Sequence, residues 1–133
     1  MTVTLRDRAR DLVRPPVIVR PDKTLREVSR TLSERSVGAA IVGTVNDAAG
    51  VISERDIVTD LARGADPDTV TAGEAMTSAV AAARPDDRLL DILGLMFGDG
   101  IRHVPVIDEG GRVAGMVSLR DLLGPLLVDV FSD

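Results

Sequence analysis

Residues 115–121 read GMVSLRD, and residues 50–56 read GVISERD. Glycine, two apolar residues, serine, a variable position, arginine and aspartate come in the same order twice. Working outward from these stretches, the rest of the chain also repeats. Arg84-Pro85-Asp86 follows Arg20-Pro21-Asp22 at a spacing of 64, and at that spacing Leu25 falls on Leu89, Val28 on Ile92, Leu32 on Met96, Val37 on Ile101 and Val42 on Val106. Beyond that point Gly50 falls on Gly115, one residue further on. The extra residue belongs to a turn, NDAAG in the first copy and DEGGRVAG in the second, where an insertion is tolerated. A unit of about 60 residues therefore fills the chain twice.

Each copy has one layout. A short apolar segment, 17–19 or 80–83, reads as a strand. A helix follows, over about 24–36 with Leu25, Val28 and Leu32 on one face, and over about 88–98 with Leu89, Ile92, Leu93 and Met96 inward. Thr24 and Glu27 form a capping box, and Gly38 stands just past the first helix. Two strands come next, near 39–43 and 51–52 in the first copy and near 104–107 and 112–117 in the second. A second helix starts at the repeated motif, with Ile57, Val58 and Leu61 in one copy and Leu122 and Leu123 in the other. The connector GADPDTVTAGEAM carries Pro67, Gly73 and a further capping box, Thr71 with Glu74. The expected fold is mixed α/β (α+β). Two tandem strand–helix–strand–strand–helix units cover each other's bare sheet faces with pseudo-twofold symmetry.

Composition narrows the function. The 133 residues suit one module or two very small halves, and the net charge of −5 argues against binding a nucleic-acid backbone. With no cysteine there is no disulfide, thiolate chemistry or Cys-type zinc site. The N-terminus is too charged for the apolar core of a signal peptide, and no apolar run reaches the ~18 residues that span a bilayer. A cytoplasmic protein without membrane attachment is expected. His103 is the one histidine; no nucleophile–base pair or metal cluster stands out, so an enzyme is not expected. Arg6, Arg8, Arg10 and Arg14 read as a solvated helix face beside Asp7 and Asp11. The apolar tail Leu126, Leu127, Val128, Val130 and Phe131 is expected to be buried, on its own domain or across a dimer seam.

The motif itself has two readings. Ser-x-x-Asp ahead of an apolar run is a helix capping box, with Ser53 and Ser118 at the N-cap and Asp56 and Asp121 three residues on. A helix start that follows a Gly-led strand is also a seat for phosphate or ribose. Its free N–H groups and partial positive charge favour anions, a carboxylate accepts from ribose hydroxyls, and an arginine forks to phosphate oxygens.

RPDKTL with RPDDRL, IRHVPVID and the paired turns GVISERD and GMVSLRD together resemble the paired CBS domains, or Bateman module. The resemblance covers about residues 9–128, with one motif at 9–65 and the other at 72–128 inside a single module of 1–133. It implies a regulatory, often energy-sensing protein that binds AMP, ADP, ATP, S-adenosylmethionine or NAD in the clefts between its copies and commonly forms homodimers. It requires no cofactor, and Mg²⁺ arrives only with a nucleotide. The regulated protein is not named by the sequence. Carried over, the first cleft takes Ser118, Arg120 and Asp121, with Arg102 and His103 near the phosphates and Val17, Gly38 and Ala39 beside the base. The second takes Ser53, Arg55 and Asp56, with Ala81 and Val104 beside the base. The first copy has Gly38 and Ala39 where the second has Arg102 and His103, and Ile41 where the second has Pro105, so the second cleft is the poorer one for phosphate. The alternative is a nucleotide-free dimeric scaffold of the same fold.

Overall fold

The structure is a computed structural model that describes residues 2–78 and 81–131. It divides into two compact units whose borders cut across the repeat. A central unit comprises Pro16–Val80, and a terminal unit comprises Met1–Pro15 with Ala81–Asp133.

In the central unit, β1 (Ile18–Val19), β2 (Ala39–Thr44), β3 (Asp47–Ser53) and β4 (Thr77–Ser78) form one sheet in that order. β1 runs parallel to β2, and the other pairs are antiparallel. Helix α1 (Leu25–Arg35) starts at the expected Thr24–Glu27 capping box. It buries Leu25, Val28 and Leu32 against Val19, Ala40, Val42, Ile52 and Ile57. It ends where expected, at Ser36, which takes the left-handed position with φ 54° two residues before Gly38. The turn is tighter than NDAAG suggests. Only Val45 and Asn46 link β2 to β3, and Asp47, Ala48 and Gly50 already pair with β2. A bulge at Gly43, φ 135°, allows this, a backbone angle that glycine adopts without strain. Helix α2 (Glu54–Ala62) opens at the motif and the short α3 (Ala72–Ala75) at the Thr71–Glu74 box.

The connector is stitched down rather than loose. Leu25 N–H donates to the Val70 carbonyl, Arg26 N–H to Pro67, and Arg26 grips Asp68 through both Nε and Nη2 at 2.6 and 3.1 Å.

The terminal unit repeats this plan with altered edges. Helix α4 (Leu89–Asp99) ends at Gly100, φ 66°, rather than at Gly98. The hairpin β5 (His103–Ile107) and β6 (Val113–Ser118) is extended by single bridges, Ala83 beside Val106 and Arg14 beside Met116. The strand expected at 80–83 thus shrinks to Ala83, with residues 79 and 80 outside the described set. The cause is Pro105. Its counterpart Ile41 donates its N–H to Val17, and proline has no N–H to give. Helix α5 (Leu119–Phe131) carries Pro125 within it. Leu89, Ile92, Met96, Val104, Val106, Val117 and Leu122 make the core with Leu5 and Ala9 from the N-terminal segment. That segment is a 3-10 turn at Ala9–Asp11 and not the expected helix. Three of its arginines are engaged: Arg10 pairs with Asp86, Arg8 donates to the Asp86 carbonyl, and Arg14 pairs with Asp121.

The opening segments of the two repeats have exchanged places. Residues 7–14 dock on the second repeat as residues 70–77 dock on the first. Leu89 N–H donates to Asp7 as Leu25 N–H does to Val70, and Ala9 N–H to Asp87 as Ala72 N–H does to Lys23. Ala9 and Ala72 are both fully buried. Neither repeat completes its sheet edge without the segment that begins the other.

The apolar tail is not covered by its own unit. Pro125 is buried and Leu126 packs on the core, but Leu127, Val130 and Phe131 are 53, 64 and 81% exposed. Of the apolar residues expected along α2 and α5, Ile57 and Leu122 are buried, whereas Val58, Leu61 and Leu123 face outward.

Candidate functional site

The two motif turns explain their own residues. Each glycine lies where an exchanged edge segment crosses it. A Cβ on Gly115 would stand 2.2 Å from the Arg14 carbonyl oxygen and 2.3 Å from Val13 Cγ2. On Gly50 it would stand 2.6 Å from the Thr77 oxygen and 2.8 Å from Met76 Sδ. The two apolar residues then complete the strand, with Val51, Ile52 and Val117 buried and Met116 half-buried.

Serine and aspartate form the capping box in both copies. Ser53 N–H donates to Asp56 Oδ2 at 2.8 Å and Asp56 N–H to Ser53 Oγ at 3.2 Å. Ser118 and Asp121 repeat the exchange at 2.9 and 3.2 Å. Capping uses Oδ2. The other oxygen, Oδ1, points to a different partner in each copy. Asp56 Oδ1 accepts from Thr77 Oγ1 at 3.4 Å, whereas Asp121 Oδ1 accepts from Arg14 Nε at 2.7 Å. The Asp121 side chain is 11% exposed and that of Arg14 71%. Burial pushes the Asp121 carboxyl up, but the Ser118 N–H, the Arg14 guanidinium and the Ser118 hydroxyl outweigh it and hold the group below the usual aspartate range.

The remaining candidates fall on both units. In the terminal unit, Arg102 gives its carbonyl to Leu119 N–H at 2.7 Å, and His103 pairs with Ser118 across the hairpin. Arg102 and Arg120 are exposed, and among the described residues neither has an ion-pair partner. Ala81 is half-buried and Val104 fully buried in this same unit. In the central unit, Gly38 gives its carbonyl to Glu54 N–H at 2.9 Å, Ala39 pairs with Ser53, and Val17 accepts from Ile41. Arg55 is exposed. The turn 115–121 is thus gathered with Arg102 and His103, while Val17, Gly38 and Ala39 lie in the other unit with the turn 50–56. No group of three or more potential metal ligands occurs among the described residues. No helix among them is long and apolar enough to cross a membrane.

Two residues at these turns escape a reading of the motifs alone: Arg14 and Thr77. The available signal was the repeat itself. Sixty-three residues separate them, as they separate Ala9 from Ala72, yet the basic run around Arg14 hides the correspondence.

Comparison with known proteins agrees with this architecture. The family model for the CBS domain matches twice, at residues 9–63 and 72–127. The chain is 31% identical to a CBS domain protein of Pyrobaculum aerophilum complexed with AMP, covering 90% of this chain and 95% of that one with a TM-score of 0.83. A CBS domain pair solved with 5′-methylthioadenosine and S-adenosyl-L-methionine is 25% identical over 86% of this chain and 91% of its own, with a TM-score of 0.78. An uncharacterised 17.7 kDa protein of Acidianus ambivalens is 35% identical over 83% of this chain, which spans 66% of that protein's length. Two tandem matches, a doubled capping-box turn and a shared fold over most of the chain leave one assignment: this protein belongs to the CBS domain family, as a tandem pair.

Proposed function

We propose that the protein is a regulatory module that binds an adenosine-containing ligand at its two strand-to-helix turns and changes its contact with a partner protein as a result. One observation carries the reading. At both turns the aspartate spends Oδ2 on its helix cap and turns Oδ1 outward, to Thr77 Oγ1 in one copy and to Arg14 Nε in the other, and the residue before it is an exposed arginine, Arg55 or Arg120. A helix start whose carboxylate keeps one oxygen out of the cap, beside a guanidinium, suits a ribose and a phosphate. Relatives solved with AMP and with S-adenosyl-L-methionine support the ligand class. Ser118, Arg120, Asp121, Arg102 and His103 serve one ligand, with Val17, Gly38 and Ala39 for its base; Ser53, Arg55 and Asp56 serve a second, with Ala81 and Val104. A response to AMP, ADP or ATP makes the module an energy sensor. Binding shifts the module only by the difference in affinity between its arrangements.

A thermal-shift panel of AMP, ADP, ATP, S-adenosylmethionine and NAD tests this. A ligand at 100 times its Kd stabilises by about 2.7 kcal/mol, a shift of several degrees. The shift is expected to fall in Asp56→Ala and Asp121→Ala and to vanish in the double variant. Flat curves throughout, or a shift indifferent to both substitutions, overturn the assignment.

The uncovered face of α5 favours a second reading, a homodimeric scaffold that needs no nucleotide. Leu123, Leu127, Val130 and Phe131 are all about half exposed or more. Light scattering with and without nucleotide separates the two. A dimer whose dissociation ignores every ligand supports the scaffold.

A further inference from the structure

Arg14 and Thr77 occupy the same place on the two exchanged edge segments, and each meets the motif aspartate at Oδ1. Their chemistry differs. Thr77 offers a neutral hydroxyl at 3.4 Å, a contact that a ribose hydroxyl replaces at little cost. Arg14 offers a charged N–H at 2.7 Å to a carboxylate that is nearly buried. Its backbone is held by mutual bonds with Met116 at 3.5 and 3.4 Å and by close contact over Gly115, so the segment stays beside the turn. Its side chain is 71% exposed, so solvent offers it room beyond the bond to Asp121.

A ribose that takes Asp121 Oδ1 therefore releases a guanidinium. A neutral nucleoside leaves that cation without an anion. A phosphorylated one brings its own. The surroundings point the same way: Arg102 and Arg120 are exposed in the same unit, whereas the matching turn has Arg55 alone, since Gly38 stands where Arg102 does. We propose that Arg14 makes the turn at 115–121 selective for phosphorylated nucleosides over neutral ones, and that the turn at 50–56, with Thr77, accepts neutral nucleosides. This rests on the nucleoside reading above and assigns a ligand class to each turn.

The test compares adenosine with AMP by titration calorimetry, one turn at a time. In an Asp56→Ala background, AMP is expected to bind more tightly than adenosine. Adding Arg14→Thr raises adenosine affinity roughly three- to tenfold, between the worth of an exposed ion pair and of a charge-assisted bond to a buried carboxylate, while AMP affinity stays level or falls. In an Asp121→Ala background, Thr77→Arg lowers adenosine affinity by a similar factor. Arg14→Gln provides the same reading if Arg14→Thr does not fold. Equal changes for both ligands, or none, overturn the inference while leaving nucleoside binding standing. If neither ligand binds the folded wild-type protein, the nucleoside reading fails and takes this one with it.

Discussion

The turns at 50–56 and 115–121 share a backbone and part company at their side chains. Both glycines admit a crossing segment, both serines cap a helix, and both aspartates return the bond through Oδ2. The equivalence extends to the helix starts, where Glu54 N–H binds the Gly38 carbonyl as Leu119 N–H binds that of Arg102. Around this frame the second copy has gathered cations, Arg14 and Arg102, at positions held by Thr77 and Gly38 in the first. The difference separates two demands on one motif. What the fold needs is duplicated, and what a ligand would feel is not.

The comparison breaks most visibly if the two scaffolds turn out unequal. Leu25 and Leu89 are fully buried at matching positions on α1 and α4. Leu25→Ala and Leu89→Ala are each expected to cost about 3 kcal/mol in urea unfolding, within the usual range for a core leucine. A difference between them above about 1.5 kcal/mol, half the cost itself, would show that one repeat carries the module. Next come the glycines. Gly115→Ala is expected to cost about 2–3 kcal/mol and Gly50→Ala about 1–2, as overpacking does. The order follows from the atoms met. At both the closest is a backbone carbonyl oxygen, but it stands nearer at Gly115, and the second atom there belongs to a stiff valine, whereas at Gly50 it belongs to a flexible methionine. Equal or negligible losses would mean that the edge segments lift away freely. The caps are smaller still: Ser53→Ala and Ser118→Ala are each expected to lose about 1 kcal/mol.

Most of this frame was legible in the sequence, because the fold repeats it. Leu25, Val28 and Leu32 matched to Leu89, Ile92 and Met96 set both helices, and the capping boxes at Thr24, Ser53, Thr71 and Ser118 set four helix starts. What local pattern could not give was long-range. Nothing in RDRARDLVR says that Arg14 will cross Gly115, which is 101 positions away, so its arginines read as a solvated helix. The left-handed conformation of Ser36 at the end of α1 is a further feature that no local pattern announced. For the tail of α5 the first of its two expected covers fails, since its own unit leaves Leu127, Val130 and Phe131 exposed; an apolar run says how much surface wants covering and not what covers it.

The smallest effect is the one most particular to the second turn. Asp121 ionises below the ordinary aspartate range in the folded protein. A carboxyl with a depressed folded pKa stabilises the fold above its unfolded pKa, and that stability is lost as pH falls through the folded value. With an unfolded aspartate near 3.9, the window opens at about pH 4 and extends downward. Asp121→Asn keeps the shape and removes the charge. It should therefore be less stable than wild type at pH 7, with the gap closing as acid is added below about pH 4, read from urea midpoints of both proteins. Arg14→Thr should close part of the gap from the other side, because it removes one of the groups that hold the carboxyl ionised and leaves the Ser118 bonds in place. A gap that stays constant from neutral pH into acid would mean that neither the Ser118 bonds nor Arg14 favours the charged form of Asp121. The contrast between Arg14 and Thr77 would then be a difference of surface charge with no hold on the carboxylate.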